Sequence, residues 1–268
     1  MSPIERPLQH SDRRHVGFQP VKAWRHFRKL TADKEDTEQV FHIIEALKSR
    51  KGAKQAADFV QSAPGRALLS DNRELVTMLD DHSNWADCAE DSVAKHYVRF
   101  MKREGLTAAG LAEESYQWLP KDHRPEDLYE WYFERLRDTH DLFHILTGYG
   151  RDGLGELSLL GFSYAQNHNP GVLFIAYAGA RQMKKVSGSK APIYAAIREG
   201  QRLGRAAAKL GHQNVEELMH EPLGAARERL GIGKPETYRE CLRIFEAEGL
   251  SLQDPAAEPE KAQDCCAA

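Results

Sequence analysis

Two histidines and two carboxylates stand at spacings that could hold a metal ion. The string His140-Asp141-Leu142-Phe143-His144 is followed, after eleven residues, by Glu156, and four of those eleven are glycines: Gly148, Gly150, Gly153 and Gly155. On a helix His140 and His144 lie one turn apart on one face, with Asp141 about 100 degrees round from His140. The glycine-rich run is too permissive to stay helical. It reads as a reversal that returns a second helix antiparallel, with Glu156 in its first turn. Glu156 also sits among Leu154, Leu157, Leu159, Leu160 and Phe162, where a carboxylate is costly unless a cation or donor meets it. Taken singly, each of these residues reads as a cap, a packing histidine or an acid at a helix N-terminus. Together they read as a site for one divalent ion. Two nitrogens and two carboxylate oxygens favour zinc, iron or manganese over magnesium or calcium.

The elements that must position these groups are helical throughout. Apolar residues recur at helical spacing over residues 21–30 and 38–47, where Phe41, Ile44 and Leu47 make one face, and shorter helices are expected at 53–60 and 73–79. Residues 92–103 carry Tyr97, Phe100 and Met101 on one stripe before Gly105 interrupts it, and residues 106–118 resume. Pro120 to Pro125 is a loop, with His123 a solvated member. Pro125-Glu126-Asp127 then opens a helix running through Trp131, Phe133 and Leu136 into the metal motif. Asn169-Pro170 caps a further helix over 172–186, apolar on every side in its first half. Helices are also expected at 215–230 and 236–247. Glu217 and His220 have the Glu-x-x-His spacing of di-iron bundles, but the two further carboxylates such a site needs are not evident. No alternating strand pattern and no internal repeat is present. The expected fold is all-α, a single-domain antiparallel helical bundle over residues 19–248, between a polar unstructured leader (1–18) and a disordered tail (249–268).

A chain of 268 residues can bury a sizeable core, and a formal charge of −3 argues against nucleic acid as a partner. Four cysteines, Cys88, Cys241, Cys265 and Cys266, have neither disulfide-framework nor zinc-finger spacing, so a reducing compartment fits. The first residues contain no apolar run that would act as a signal or anchor. Residues 157–180 lack Asp, Glu, Lys and Arg, but Gln166-Asn167-His168-Asn169-Pro170 would put polar groups and a helix breaker at the bilayer centre, so two helices with a break are expected. From 181 to 210 eight Lys and Arg face one acid, Glu199. Arg198, Arg202, Arg205 and Lys209 share a face, either as a solvated surface or as a patch for an anionic headgroup or membrane, while Gly200, Leu203, Ala207 and Leu210 would pack inward. The terminal Cys265-Cys266-Ala267-Ala268 is a poor match to a prenylation signal.

The motif HDLFH, eleven residues and Glu resembles the signature of the Coq-four family of ubiquinone-biosynthesis proteins, and a looser similarity extends over about residues 21–232. The resemblance implies that His140, Asp141, His144 and Glu156 hold a divalent metal, zinc above all. It also implies oxidative removal of the ring carboxylate at the first carbon of a polyprenyl hydroxybenzoate-derived precursor and its replacement by hydroxyl. Leu157, Leu160, Phe162, Val172, Phe174 and Tyr177 would then line an apolar groove for the polyprenyl tail, each buried methylene contributing about 0.8 kcal/mol. The expected setting is a peripheral complex with other quinone-biosynthesis enzymes at a membrane surface, the protein a homo-oligomer, in a bacterium on the cytoplasmic face of the inner membrane. The alternative is a non-catalytic lipid-binding scaffold whose metal is structural, since four protein ligands suit a closed site. HDLFH is neither the HExxH of zinc proteases nor a complete His-Asp phosphohydrolase set.

Overall fold

Helix starts follow capping chemistry written in the chain. In the computed structural model, which describes residues 6–13, 17–32, 36–71, 73–119 and 124–250, side-chain oxygens accept the backbone N–H groups that helix geometry leaves open. Ser49 accepts from Gly52, Ser92 from Lys95, Thr107 from Gly110, Asp127 from Glu130, Asp152 from Leu154 and Gly155, and Asn169 from Gly171.

The helices in chain order are α1 (Pro20–Ala32), α2 (Thr37–Ala46), α3 (Arg50–Gln61), α4 (Ala63–Asp71) and α5 (Leu75–Asp80). Then come α6 (Val93–Glu104), α7 (Ala108–Trp118), α8 (Leu128–Asp138), α9 (His140–Thr147) and α10 (Gly153–Asn167). The chain continues through α11 (Pro170–Ser187), α12 (Ile193–Ala206), α13 (Val215–His220), α14 (Leu223–Arg229) and α15 (Glu236–Ala247). Among the described residues there is no strand, only an isolated bridge between Ser92 and Pro222. The all-α, single-domain expectation is met.

Four details differ from the sequence reading. The helix expected to run from residue 125 into the metal motif starts at Leu128 and is divided at Thr139, whose amide and hydroxyl both donate to the Arg135 carbonyl; a threonine bonding back four residues bends a helix. The helix expected over 215–230 is two, because Pro222 cannot continue α13. Helix α4 was not expected, although Ser62 caps it from outside by accepting from the Gly65 amide. The leader expected to be unstructured is anchored over residues 6–13: Arg13 grips both oxygens of Asp127 at 2.6 and 2.7 Å and reaches Glu130 at 2.8 Å. Of the expected disordered tail (249–268), Gly249 and Leu250 are held by the Glu246 and Phe245 carbonyls, while residues 251–268, with Cys265 and Cys266, and His123 lie outside the described residues.

Helices α10 and α12 form the centre of the main core. A Cβ at Gly161 would come 2.7 Å from the Ile197 carbonyl oxygen, one at Gly200 2.4 Å from that of Ser158, and one at Gly204 2.5 Å from that of Phe162, so the two backbones touch. Gly200, Leu203, Ala207 and Leu210 are buried, as the spacing predicts. Gln166 ties the end of α10 to α12, donating to the Gly204 carbonyl at 2.7 Å and accepting from the Leu210 amide at 2.9 Å. Glu199, the one acid of the basic stretch, accepts from the Thr237 amide at 2.8 Å and so caps α15. Residues 157–180 are the expected two helices, parted at His168 and Asn169, and no helix among the described residues is long and apolar enough to cross a membrane.

Candidate metal centre

The helix that carries the histidines is about two turns of firmly held backbone. Beyond the Thr139 bend, α9 sets His140 and His144 on one face, and it stops at Gly148, whose φ of 77° lies in the region that glycine adopts without strain. Arg227 donates to the Ile145 and Leu146 carbonyls at 2.8 and 2.9 Å, meeting acceptors that the helix end leaves open. The turn folds so tightly that a Cβ at Gly155 would stand 2.0 Å from the Gly150 carbonyl oxygen. The Tyr238 hydroxyl braces the turn, accepting from the Gly150 amide at 3.0 Å and donating to Asp152, the N-cap of α10. Glu156 then falls in the first turn of α10, as expected.

These constraints bring the four residues together. Ligand atoms of His140, Asp141 and His144 lie within 4.8 Å of one another. Glu156 joins them, with one oxygen 3.7 Å from His140 Nε2 and the other 3.3 Å from His144 Nε2. His144 is fully enclosed, its ring stacked on Phe100 at 5.6 Å. Its Nδ1 is 3.1 Å from the Tyr149 carbonyl, which can only accept. Nδ1 therefore carries the proton, and in the neutral ring Nε2 presents a bare lone pair towards the Glu156 carboxylate. That nitrogen is buried and has no hydrogen-bond partner among the described residues, the 3.3 Å approach to Glu156 lacking hydrogen-bond geometry.

Lone pairs facing across a buried gap call for a positive species between them. The charges respond accordingly. Burial pushes the His140 imidazole down, but the close approach and charge of the Glu156 carboxylate outweigh it and hold its pKa above the ordinary histidine value. Burial works to raise Glu156, yet a proton carried on the facing edges of His140 and His144 would hold its carboxyl well below the usual carboxylate range, the same pull that a cation bound between them would exert. An orphaned histidine nitrogen with its tautomer fixed by a carbonyl, a second histidine and two carboxylates form a donor set that fits zinc, iron or manganese.

The centre is closed on one side only. The His144 side chain has no exposure, whereas those of His140 and Glu156 are 29% and 34% exposed. At this mouth stands Arg151, 39% exposed, with Nε 3.9 Å from Glu156 and Nη1 4.0 Å from Glu104. Two such long contacts hold a guanidinium loosely. On the inner side, the buried Tyr97 hydroxyl has no hydrogen-bond partner among the described residues; burial first, then the Asp141 carboxylate, pushes its pKa far up. The sequence reading placed Tyr97 in a core stripe and passed over Arg151. The available signals were a hydroxyl in an otherwise apolar stripe and the cation in the glycine turn.

The other sites expected from the sequence are placed as follows. Leu157 and Phe162 lie in the main core, Leu157 against Gly179 of α11. Leu160, Val172, Phe174 and Tyr177 are half-buried; Leu160 and Phe174 pack against the second apolar cluster, around Phe27 and Ile43. Arg198, Arg202 and Arg205 are exposed. Lys209 leaves that group and donates to the Ala165 and Gln166 carbonyls at the end of α10. His220 lies 3.3 Å from the Cys88 sulfur, on Trp85, away from the four candidate ligands.

A family model described as Coenzyme Q (ubiquinone) biosynthesis protein Coq4 matches residues 35–236, a stretch that holds all four candidate ligands. The chain belongs to this family. Among curated relatives, the mitochondrial ubiquinone biosynthesis protein of Ajellomyces dermatitidis is 25% identical over 75% of this chain and 66% of its own length. Its counterpart in Aspergillus niger is 24% identical over 68% of this chain and 59% of its own length. The chain thus spans about three-fifths to two-thirds of these relatives. A crystal structure from Nostoc punctiforme, of a protein provisionally assigned to ubiquinone biosynthesis, shares the fold with a TM-score of 0.58 at 21% identity, over 81% of this chain and all of that one.

Proposed function

We propose that this protein acts in ubiquinone biosynthesis as a metal-dependent oxidative decarboxylase of a polyprenyl hydroxybenzoate-derived ring. In the net reaction the first ring carbon exchanges its bond to the departing carbon dioxide for a bond to hydroxyl: the ring carboxylic acid, water and dioxygen give the phenol, carbon dioxide and hydrogen peroxide, dioxygen taking the two electrons of the broken bond. His140, Asp141, His144 and Glu156 would hold the ion. When bound, the ion supplies a Lewis-acid position for a hard oxygen ligand, with redox capacity if it is iron or manganese. The observation that carries this reading is the bare, buried Nε2 of His144 opposite Glu156, beside an open mouth. Arg151, loosely held there, can receive the ring carboxylate. Phe100 and the enclosed side of the site keep water from His144. The half-buried Leu160 lies one turn along α10 from Glu156 and can meet the start of an isoprenoid tail.

The test supplies metal-loaded protein with a carboxylated, prenylated ring under air and follows carbon dioxide and the hydroxylated ring by mass, with Glu156→Gln as control. Absence of both products with zinc, iron and manganese alike would overturn the catalytic reading. The second reading, a lipid-binding scaffold with a structural metal that organises the quinone-making enzymes, is favoured by one observation: four protein ligands suffice to close a tetrahedral site. Under it, cells without the protein lose the assembly of those enzymes, and Glu156→Gln causes the same loss.

A further inference from the structure

Among the described residues, three of the four large apolar side chains left in solvent lie on one segment. Phe18, Val21 and Trp24 are 66%, 74% and 50% exposed, whereas Val186, at 76%, sits near the end of α11. Val21 and Trp24 are neighbours one turn apart on α1, and Phe18 precedes the helix by two residues. The opposite face of α1 is conventional core: Ala23 and Phe27 are buried with Ile43, Ala46, Leu47 and Ile175. Trp24 is not a loose side chain. It stacks on Phe27 at 5.7 Å and meets the edge of Phe174 at 6.3 Å, so half of a positioned indole is presented to solvent.

The charges carried by this segment itself have one sign. Between Gly17 and Ala32 the chain has Lys22, Arg25, Arg28 and Lys29 and no Asp or Glu. By helical spacing Arg25 and Arg28 share the outward face with Val21 and Trp24, and both are exposed. A tryptophan and a branched aliphatic interleaved with arginines, on a helix whose other side is anchored, match what an anionic bilayer interface binds. Indole rings settle at the headgroup level, and each cation near the anionic surface adds attraction. The basic face of α12 offers no such combination, for among the described residues none of the exposed large apolar side chains lies on α12.

We propose that Phe18 and α1 form the surface by which this protein docks on an anionic lipid bilayer. Val21 and Trp24 enter the boundary between headgroups and acyl chains, and Arg25 and Arg28 meet lipid phosphates. The docking needs neither the metal nor the ring chemistry. It sets α1 against the membrane and Phe174 and Leu160 behind it, which points an apolar seam from the bilayer towards the helix that carries Glu156.

The experiment is co-sedimentation of the full chain with phosphatidylcholine vesicles, with and without phosphatidylglycerol. Binding is expected to the anionic vesicles alone. Arg25→Gln with Arg28→Gln should weaken it about thirtyfold, a factor of about five for each charge, and Val21→Ser with Trp24→Ser should weaken it at least tenfold. Arg198→Gln, Arg202→Gln and Arg205→Gln together should leave it unchanged. Brominated lipids should quench fluorescence in the unmodified protein and fail to do so in Trp24→Phe. The substituted side chains are exposed, and unchanged far-UV circular dichroism verifies folding. Equal binding to neutral vesicles, binding that survives both α1 pairs, or loss in the α12 triple variant would overturn the proposal. So would absence of vesicle binding together with a concentration-dependent dimer, seen by sedimentation, that Trp24→Ser abolishes, since the patch would then belong to a second copy of the chain.

Discussion

Among the described residues two pairs of histidines sit in ring contact, and the two differ in which of their nitrogens are already engaged. His26 and His42 stack at 4.2 Å. The Trp118 indole, a donor only, gives its hydrogen to His42 Nδ1 at 3.2 Å, so His42 Nε2 carries the proton towards Glu38 at 3.1 Å. His26 Nδ1 is 2.6 Å from the Gln39 side-chain oxygen, the amide nitrogen of Gln39 being committed to Asp36. His140 and His144 meet edge to face at 5.1 Å, and their edges turn towards Glu156 with His144 Nε2 left without a partner. Proximity alone therefore does not make a ligand pair. The difference lies in which nitrogens are already engaged.

The largest expected effect tests that difference directly. His140→Ala with His144→Ala should lower affinity for zinc or iron by more than about a hundredfold, beyond what the loss of outer-shell partners costs. His26→Ala with His42→Ala should leave stoichiometric metal in place. Elemental analysis of purified protein, backed by titration calorimetry, reads both. Metal retained by the first variant would dissolve the contrast.

A smaller effect should come from the packing beneath the site. A Cβ at Gly200 would lie 2.4 Å from the Ser158 carbonyl oxygen and 3.2 Å from the Phe162 amide, backbone atoms that cannot step aside singly. Gly200→Ala should cost about 1–3 kcal/mol of stability, read as a lowered midpoint in urea. Because α10 must shift and Glu156 rides on it, metal affinity should fall as well, while the His26–His42 stack, on α1 and α2, should be untouched.

A fifth histidine extends the comparison to pH. The His212 ring lies flat on Phe59 at 3.7 Å, and burial first, then the charge of Lys209, pushes its pKa down to about 4. Its folded value is below the ordinary 6.5, so the unfolded chain takes up the proton more readily. The stability this ring contributes is full above about pH 6.5 and is lost as pH falls towards 4. Urea titrations over that range should show a decline on the order of 2 kcal/mol from this group, and His212→Phe should flatten the curve.

What could be read from the chain followed from locality. HDLFH, the glycine turn and Glu156 are fixed by steps of a few residues, as is the cap Asn169. The Thr139 bend escaped notice because a threonine in a helix is nearly neutral until its hydroxyl bonds backwards. Which of Leu160 and Phe162 remains half-open depends on α12, distant in sequence, whose glycines let it close over Phe162. Lys209 follows the spacing of a basic face, but the carbonyls that end α10 capture it. The outward face of α1 reads as an ordinary amphipathic stripe until packing decides which apolar residues go inside.

The smallest expected effect separates stability from binding at one atom. The Tyr97 hydroxyl is buried without a hydrogen-bond partner among the described residues, and the Asp141 carboxylate is the foremost charge acting on it. An unsatisfied buried hydroxyl gains nothing for the folded chain, so Tyr97→Phe should leave metal-free stability unchanged or raise it slightly. If Asp141 is a ligand and binding brings its second oxygen within reach of the phenol, the same variant should weaken metal binding by up to about tenfold. Chemical unfolding of metal-free protein and calorimetric titration with zinc read the two quantities separately. Opposite signs would identify Tyr97 as a residue that orients a ligand. A parallel loss in both would make it plain core, and the carboxylate at Asp141 would then hold its position without help from α6.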